Sequence, residues 1–178
     1  EAHQGFLEEE GEVMATYEDG DEDEGLEINR LGDALTYYRR CRDAKTWTPP
    51  QLIAHIEMGD YQISWRHGDT DRVATAFDLH PDHGRAGTGL NYRTNLYYLE
   101  TRDAGRTWTT VDGKPVTLPL TKADNPALVR DYRSEDLNVY LKDIAFTKEG
   151  YPVILYLTSK GFEPGPKLGP CYWSTARW

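Results

Sequence analysis

Hydrophobic and polar positions along this chain fall into short runs that fit strands. At residues 61–65 (Y-Q-I-S-W) they alternate with a period of two, as a half-buried strand requires. Other runs are more continuously apolar and bounded by turn residues, as at 139–146 (V-Y-L-K-D-I-A-F) and 152–157 (P-V-I-L-Y-L). The runs recur. Residues 12–17 (E-V-M-A-T-Y), 72–77 (R-V-A-T-A-F) and 152–157 read as copies of one strand. Residues 34–40, 95–101 and 171–178 read as copies of the next, with Tyr37-Tyr38 and Tyr97-Tyr98 at matching positions. The spacing of about 60 to 80 residues suits a four-stranded propeller blade with loop insertions.

The predicted fold is all-β, an incomplete β-propeller of about three four-stranded antiparallel blades in an open arc. One partial domain spans residues 1–178. Residues 1–54 form an incomplete blade without an innermost strand. Residues 55–112 form the complete blade, with strands at 61–66, 72–80, 95–101 and 107–111. Gly68 and Asp69 supply turn chemistry for its hairpin at 67–71. An inter-blade loop at 113–137 leads to an incomplete blade at 138–178, with strands at 139–146, 151–158 and 171–178 around a tight turn at 147–150. Propellers close with about four to eight blades. The chain therefore reads as an excerpt, and its expected partners include the remaining blades of the same protein.

Connections from the innermost to the second strand are short. Those at 18–32, 81–94, 159–170 and 112–138 are long and fall together on one face, where binding and chemistry usually reside. The opposite face carries Thr101-Arg102-Asp103-Ala104-Gly105-Arg106-Thr107-Trp108. Asp103 is suited to bond nearby amides, Gly105 to take positive φ, and Trp108 to plug the space beneath the turn. This T-R-D-A-G-R-T-W resembles the Asp-box hairpin, S-x-D-x-G-x-T-W, of sialidase-type propellers. Residues 41–47 (C-R-D-A-K-T-W) read as a degenerate copy without its glycine.

Composition narrows the function classes. A formal charge of −10 argues against a nucleic-acid-binding surface. Mean hydropathy is −0.72 and no run of about 18 apolar residues marks a membrane span. Cys41 and Cys171 lie in or beside strands of different repeats and are expected to be unpaired. The start at Glu1 shows no signal peptide and reads as an excerpt or a processed end. The acidic run at 18–24 has Glu24 where a calcium loop needs glycine. No metal or cofactor is expected.

Candidate chemistry concentrates at 78–95. His80 and His83 are able to titrate near neutral pH. Arg85 and Arg93 are able to neutralise a sugar carboxylate. Tyr92 is able to share proton transfer at a glycosidic oxygen. The plainer reading is that Asp82 and His83 decorate a turn and Arg93 ties the loop to its own blade. Arg130 and Lys142 are further candidates for substrate contact, with structural roles as the alternative. Lys142 and Asp143, adjacent on a strand, are expected on opposite faces. Glu163, in the Pro/Gly-rich stretch 161–166, is a carboxylate on the same face.

From residue 72 onward the chain resembles BNR-repeat (Asp-box) proteins of the sialidase superfamily, in particular members from bacterial polysaccharide-degrading systems. R-T-N-L-Y-Y-L-E-T (93–101), G-K-P-V-T-L-P-L (113–120), D-N-P-A-L-V (124–129) and V-Y-L-K-D-I-A-F (139–146) carry the resemblance. So do P-V-I-L-Y-L-T-S-K-G (152–161) and E-P-G-P (163–166). It implies a secreted or periplasmic bacterial protein that acts on an acidic plant or algal glycan as polysaccharide lyase or glycoside hydrolase. Catalysis would fall to His80, Tyr92 and Arg93, with His83, Arg85, Arg130 and Lys142 binding the poly- or oligosaccharide. A non-catalytic glycan-binding or structural propeller is the alternative. The sialidase arginine triad is not recognisable.

Overall fold

The computed structural model describes residues 25–31, 35–41, 45–68, 70–81, 92–160 and 171–178. These residues form three antiparallel sheets and no helix. Strands β1 (Gly25–Leu31), β2 (Leu35–Cys41) and β3 (Gln51–Ala54) make the first, in that order. The second runs β4 (Gln62–Arg66), β5 (Val73–Leu79), β6 (Thr94–Thr101), β7 (Leu128–Arg130). In the third, β9 (Pro152–Lys160) lies between β8 (Leu137–Phe146) and β10 (Cys171–Arg177). The result is the expected incomplete, propeller-like arc.

The period of two explains how the sheets stack. Both central strands of the second sheet, β5 and β6, are buried at every position. Val73, Phe77, Tyr97 and Leu99 point into one core with Leu26, Ile28, Tyr38 and Ile53 of the first sheet. Ala74, Ala76, Leu96 and Tyr98 point into the other, with Val139, Ile144, Ile154 and Tyr156 of the third. Sequential residues thus serve opposite interfaces. Phe77 and Tyr97 stack with centroids 4.9 Å apart. Fully burying one such ring stabilises the fold by about 1.5–3 kcal/mol.

The turn at 101–108 forms as its residues dictate. Thr107 donates to Asp103 through its amide (2.9 Å) and its hydroxyl (2.6 Å), and the Gly105 amide donates to Thr101 Oγ1 (2.8 Å). Gly105 has φ +78, and a Cβ there would lie 2.8 Å from Leu26 Cδ1. Trp108 is buried and meets Tyr38 edge-on at 5.2 Å. The turn therefore joins the second blade to the first.

Three expectations need correction. The strand beside β2 is Gly25–Leu31, within the stretch read as a long loop, because Leu26 and Ile28 alternate into the core. Residues 12–17 and the acidic run 18–24 lie outside the described residues. Residues 107–111 do not form the outer strand. Thr109 alone bridges Glu100, and Leu128–Arg130, from the stretch read as inter-blade loop, pairs with Leu96 and Tyr97. The intervening segment crosses to the first sheet, where the Leu120 amide donates to Ile53 O and the His55 amide to Leu120 O, each at 2.9 Å. It covers the edge of β3, a position that otherwise invites pairing with another chain. Finally, Lys142 and Asp143 are both exposed rather than on opposite faces, because a bulge between Leu141 and Asp143 breaks the alternation. Cys41 and Cys171 form no disulfide.

Candidate functional site

The end of the second sheet opposite the Asp103 turn gathers residues from four strand ends. Tyr61 enters β4, His80 leaves β5, Arg93 enters β6 and Tyr140 lies on β8 of the third sheet. Each is fixed by backbone pairing. The Tyr61 amide donates to the buried Asp78 carboxylate (2.8 Å), and the Asp78 amide returns a bond to Tyr61 O (3.0 Å). The His80 amide donates to Gly59 O (2.8 Å). The Val139 amide donates to Arg93 O (2.9 Å) and the Thr94 hydroxyl to Leu137 O (3.0 Å), clamping β8 across the start of β6.

Arg93 is the centre of this group. Its guanidinium carbon lies 3.5 Å from the Tyr61 ring centroid and 5.8 Å from that of Tyr140. A cation over aromatic rings gains about 0.5–2 kcal/mol, more as water is excluded. His80 sits against Tyr61, with ring centroids 5.0 Å apart and Nε2 3.8 Å from Asp78 Oδ1. It is buried at 2% exposure, while Tyr61, Arg93 and Tyr140 are half-buried. Burial pushes the Tyr140 hydroxyl up to about 12, against a hydrogen bond with Ser159 and the charge of Arg93, which pull it down. That hydroxyl is protonated at neutral pH and suited to donating a proton.

His80 and Arg93 thus meet the same ring. Tyr92, two residues before β6, is electrostatically coupled to Arg133. Arg130 is turned away on β7, held by Glu135 through two bonds of 2.9 and 3.0 Å and lying over Tyr132 at 4.6 Å. Lys142 is exposed at the β8 bulge. His83, Arg85 and Glu163 lie outside the described residues. Among those described, no group of three or more His, Cys, Asp or Glu is placed to hold a metal ion.

Sequence reasoning missed Tyr61 and Tyr140. Both lay in predicted innermost strands. The usable signal was that a residue entering such a strand from the long-loop end lies beside the long loops.

Neither models of known families nor curated protein sequences match the chain. Solved structures do. An ulvan lyase of polysaccharide lyase family PL25, bound to -[GlcA(1-4)Rha3S]-, superposes with a TM-score of 0.68 at 20% identity over 96% of this chain. The PL25 ulvan lyase described without that ligand gives the same values. The polysaccharide lyase Uly1 gives 0.64 at 15% identity over 88% of the chain. The chain spans 40% of the length of the first two and 36% of the third. At these identities the likeness establishes the fold.

Proposed function

We propose that this chain is part of a propeller polysaccharide lyase that cleaves a uronate-containing glycan by elimination, at the Tyr61–His80–Arg93–Tyr140 end of the second and third blades. The observation that carries the reading is the Arg93 guanidinium over the Tyr61 ring and within 5.8 Å of the Tyr140 ring, with His80 packed on the same Tyr61 ring. The structural neighbours, polysaccharide lyases, support it, and one of them holds a glucuronate-containing oligosaccharide.

Elimination removes the proton at C5, next to the sugar carboxylate, and expels the O4 substituent. Arg93 neutralises the carboxylate and so stabilises the charge that develops as the C5–H bond breaks. Tyr140, protonated at neutral pH, donates to the leaving O4. The C5 proton passes to His80, which requires the Tyr61 ring to move aside, because His80 is buried behind it. The electrons of the C5–H bond form the C4=C5 double bond as the C4–O4 bond breaks.

The burial of His80 favours one second reading, a glycan-binding propeller that holds an acidic sugar at Arg93 without chemistry. BNR-repeat membership, a secreted or periplasmic location and the remaining blades as partners belong to the same proposal. Incubating the intact protein with a panel of acidic polysaccharides separates the readings. A lyase gives the ultraviolet absorbance of the unsaturated product. A hydrolase gives new reducing ends without that absorbance. Binding with neither leaves the second reading.

A further inference from the structure

Arg133 lies on the same end of the molecule, beyond Tyr92, in a setting that stability does not explain. Two non-glycine residues with left-handed backbone, Glu57 (φ 52) and Asn95 (φ 59), contact it, and a third, Asp136 (φ 57), closes the turn 132–137 that carries it. Glu57 Oε1 accepts from its Nη1 at 2.6 Å. Asn95 Oδ1 accepts from its amide at 2.9 Å, and its carbonyl accepts from the Asp136 amide at 3.2 Å. Asn95 is itself buried and donates to Tyr97 Oη at 3.1 Å. The ion pair with Glu57 is partly solvated, with side chains 41% and 23% exposed. Such a pair stabilises little, less than a left-handed glutamate costs. Strain of this kind accompanies functional positions that need a preset geometry. The Glu57 contact uses Nη1. Among the described residues no hydrogen bond reaches the edge formed by Nε and Nη2, and that edge is the one that binds an oxyanion in bidentate fashion. Asn95, which holds the Arg133 amide, is two residues from Arg93, so the backbone that carries Arg133 packs at the start of β6, the end where Arg93 lies.

We infer that Arg133 is a second anion-binding position, taking a sulfate ester or a carboxylate on a sugar adjoining the one held at Arg93. This deepens the glycan reading above and rests on it. The protein would then select glycans with anions on neighbouring sugars, despite its overall negative charge.

The test uses the intact protein and three oligosaccharides with the uronate constant: one with a neutral neighbouring sugar, one with a sulfated neighbour, one with a second uronate. Affinity is measured by calorimetry, with product absorbance alongside. Arg133→Ala is expected to weaken binding of one or both doubly anionic ligands about tenfold, the size of one charge-assisted contact. It should change affinity for the neutral-neighbour ligand less than about twofold. Which ligand responds names the anion. Glu57→Gln removes a competing carboxylate and should hold or tighten anion binding. Equal weakening of all three ligands, or of none, overturns the subsite, as does a Glu57→Gln loss that follows the thermal midpoint. Binding with the expected Arg133 dependence but no unsaturated product overturns the lyase reading and supports the subsite. No binding of any ligand by the wild type overturns both.

Discussion

At the Thr101 end of β6, Asp103 gathers the Thr101 and Thr107 hydroxyls and the Thr107 amide, and Trp108 closes the space against Tyr38. At the Thr94 end, Arg93 lies over the half-buried Tyr61 and within 5.8 Å of the half-buried Tyr140, and Asn95, with a left-handed backbone, holds the Arg133 amide. The same strand thus ends in a closed polar knot and in an open cationic, aromatic one. In the first, the Asp103 carboxylate and the Thr101 and Thr107 groups bond one another locally above an apolar plug, which is how a fold is held. In the second, charge is presented to solvent on positions held by neighbouring strands, which is how a ligand is met. The division predicts that substitutions at the two ends fail in different ways.

The largest effects come from one substitution at each end. Arg93→Ala should lower kcat on a uronate polymer by about 10²–10³, the usual loss when a group that stabilises developing charge is removed. Its thermal midpoint should stay close to wild type, since a half-exposed arginine carries little of the core. Trp108→Ala should cost about 3–5 kcal/mol of stability through the cavity it leaves between the first two blades. The folded fraction should keep its kcat. Denaturant unfolding and kinetics on both proteins check the pair. Loss of activity from folded Trp108→Ala, or of several kcal/mol from Arg93→Ala, would break the division between the ends.

How much of this was legible in the sequence follows the same line. The turn at 101–108 was readable because its geometry depends on Asp103, Gly105 and Trp108 at fixed local offsets, with no distant partner needed. The strands β4, β5, β6, β8 and β9 were readable from short apolar runs between turns. The outer strand was not, because Leu128–Arg130 reaches its partner across an insertion, and nothing local distinguishes Thr107–Val111 from a strand. β1 was missed for a related reason, since Gly25–Leu31 follows an acidic run that reads as loop. For the site, the loop-length argument pointed to the end where Arg93 and His80 share the Tyr61 ring. It did not find Tyr140, which reaches Arg93 from another blade, or the Arg133–Glu57 pair, formed by residues 76 apart in sequence. Contacts between blades leave no local signature.

An intermediate effect sharpens the role of the open end. Tyr140→Phe removes a hydroxyl and little volume, so the stability change should be small. If the hydroxyl donates the leaving-group proton, kcat should fall by about 10²-fold, within the range for a general acid, with KM nearly unchanged. With the hydroxyl pushed up to about 12 by burial, wild-type activity should show no alkaline loss from this group until pH approaches that value. The raised value also has a stability sign. The neutral form is favoured in the folded state, so its contribution is full below the ordinary tyrosine range near 10. It is lost as pH rises towards about 12. A Tyr140→Phe protein with unchanged kcat would leave Arg93 as a binding group only.

The smallest effect tests the closed end. Burial alone would raise the Asp103 carboxyl. Its hydrogen bonds from Thr107, Thr101 and the Arg106 amide outweigh burial and hold it below the ordinary carboxylate value. A depressed carboxyl stabilises the fold at pH above its unfolded value, near 3.8, and that contribution is lost as pH falls through the lower folded value. Wild-type protein should therefore lose part of its stability on acidification below about pH 4. Asp103→Asn, which keeps the turn's shape but cannot accept from both Thr107 groups as a charged carboxylate does, should lack that acid-dependent component. The two proteins should differ most near neutral pH and converge in acid. Because the turn is largely solvated, screening keeps the difference modest. Parallel pH profiles for the two proteins would show that Asp103 acts in the turn by shape alone, and its charge would then have no part in joining the first two blades.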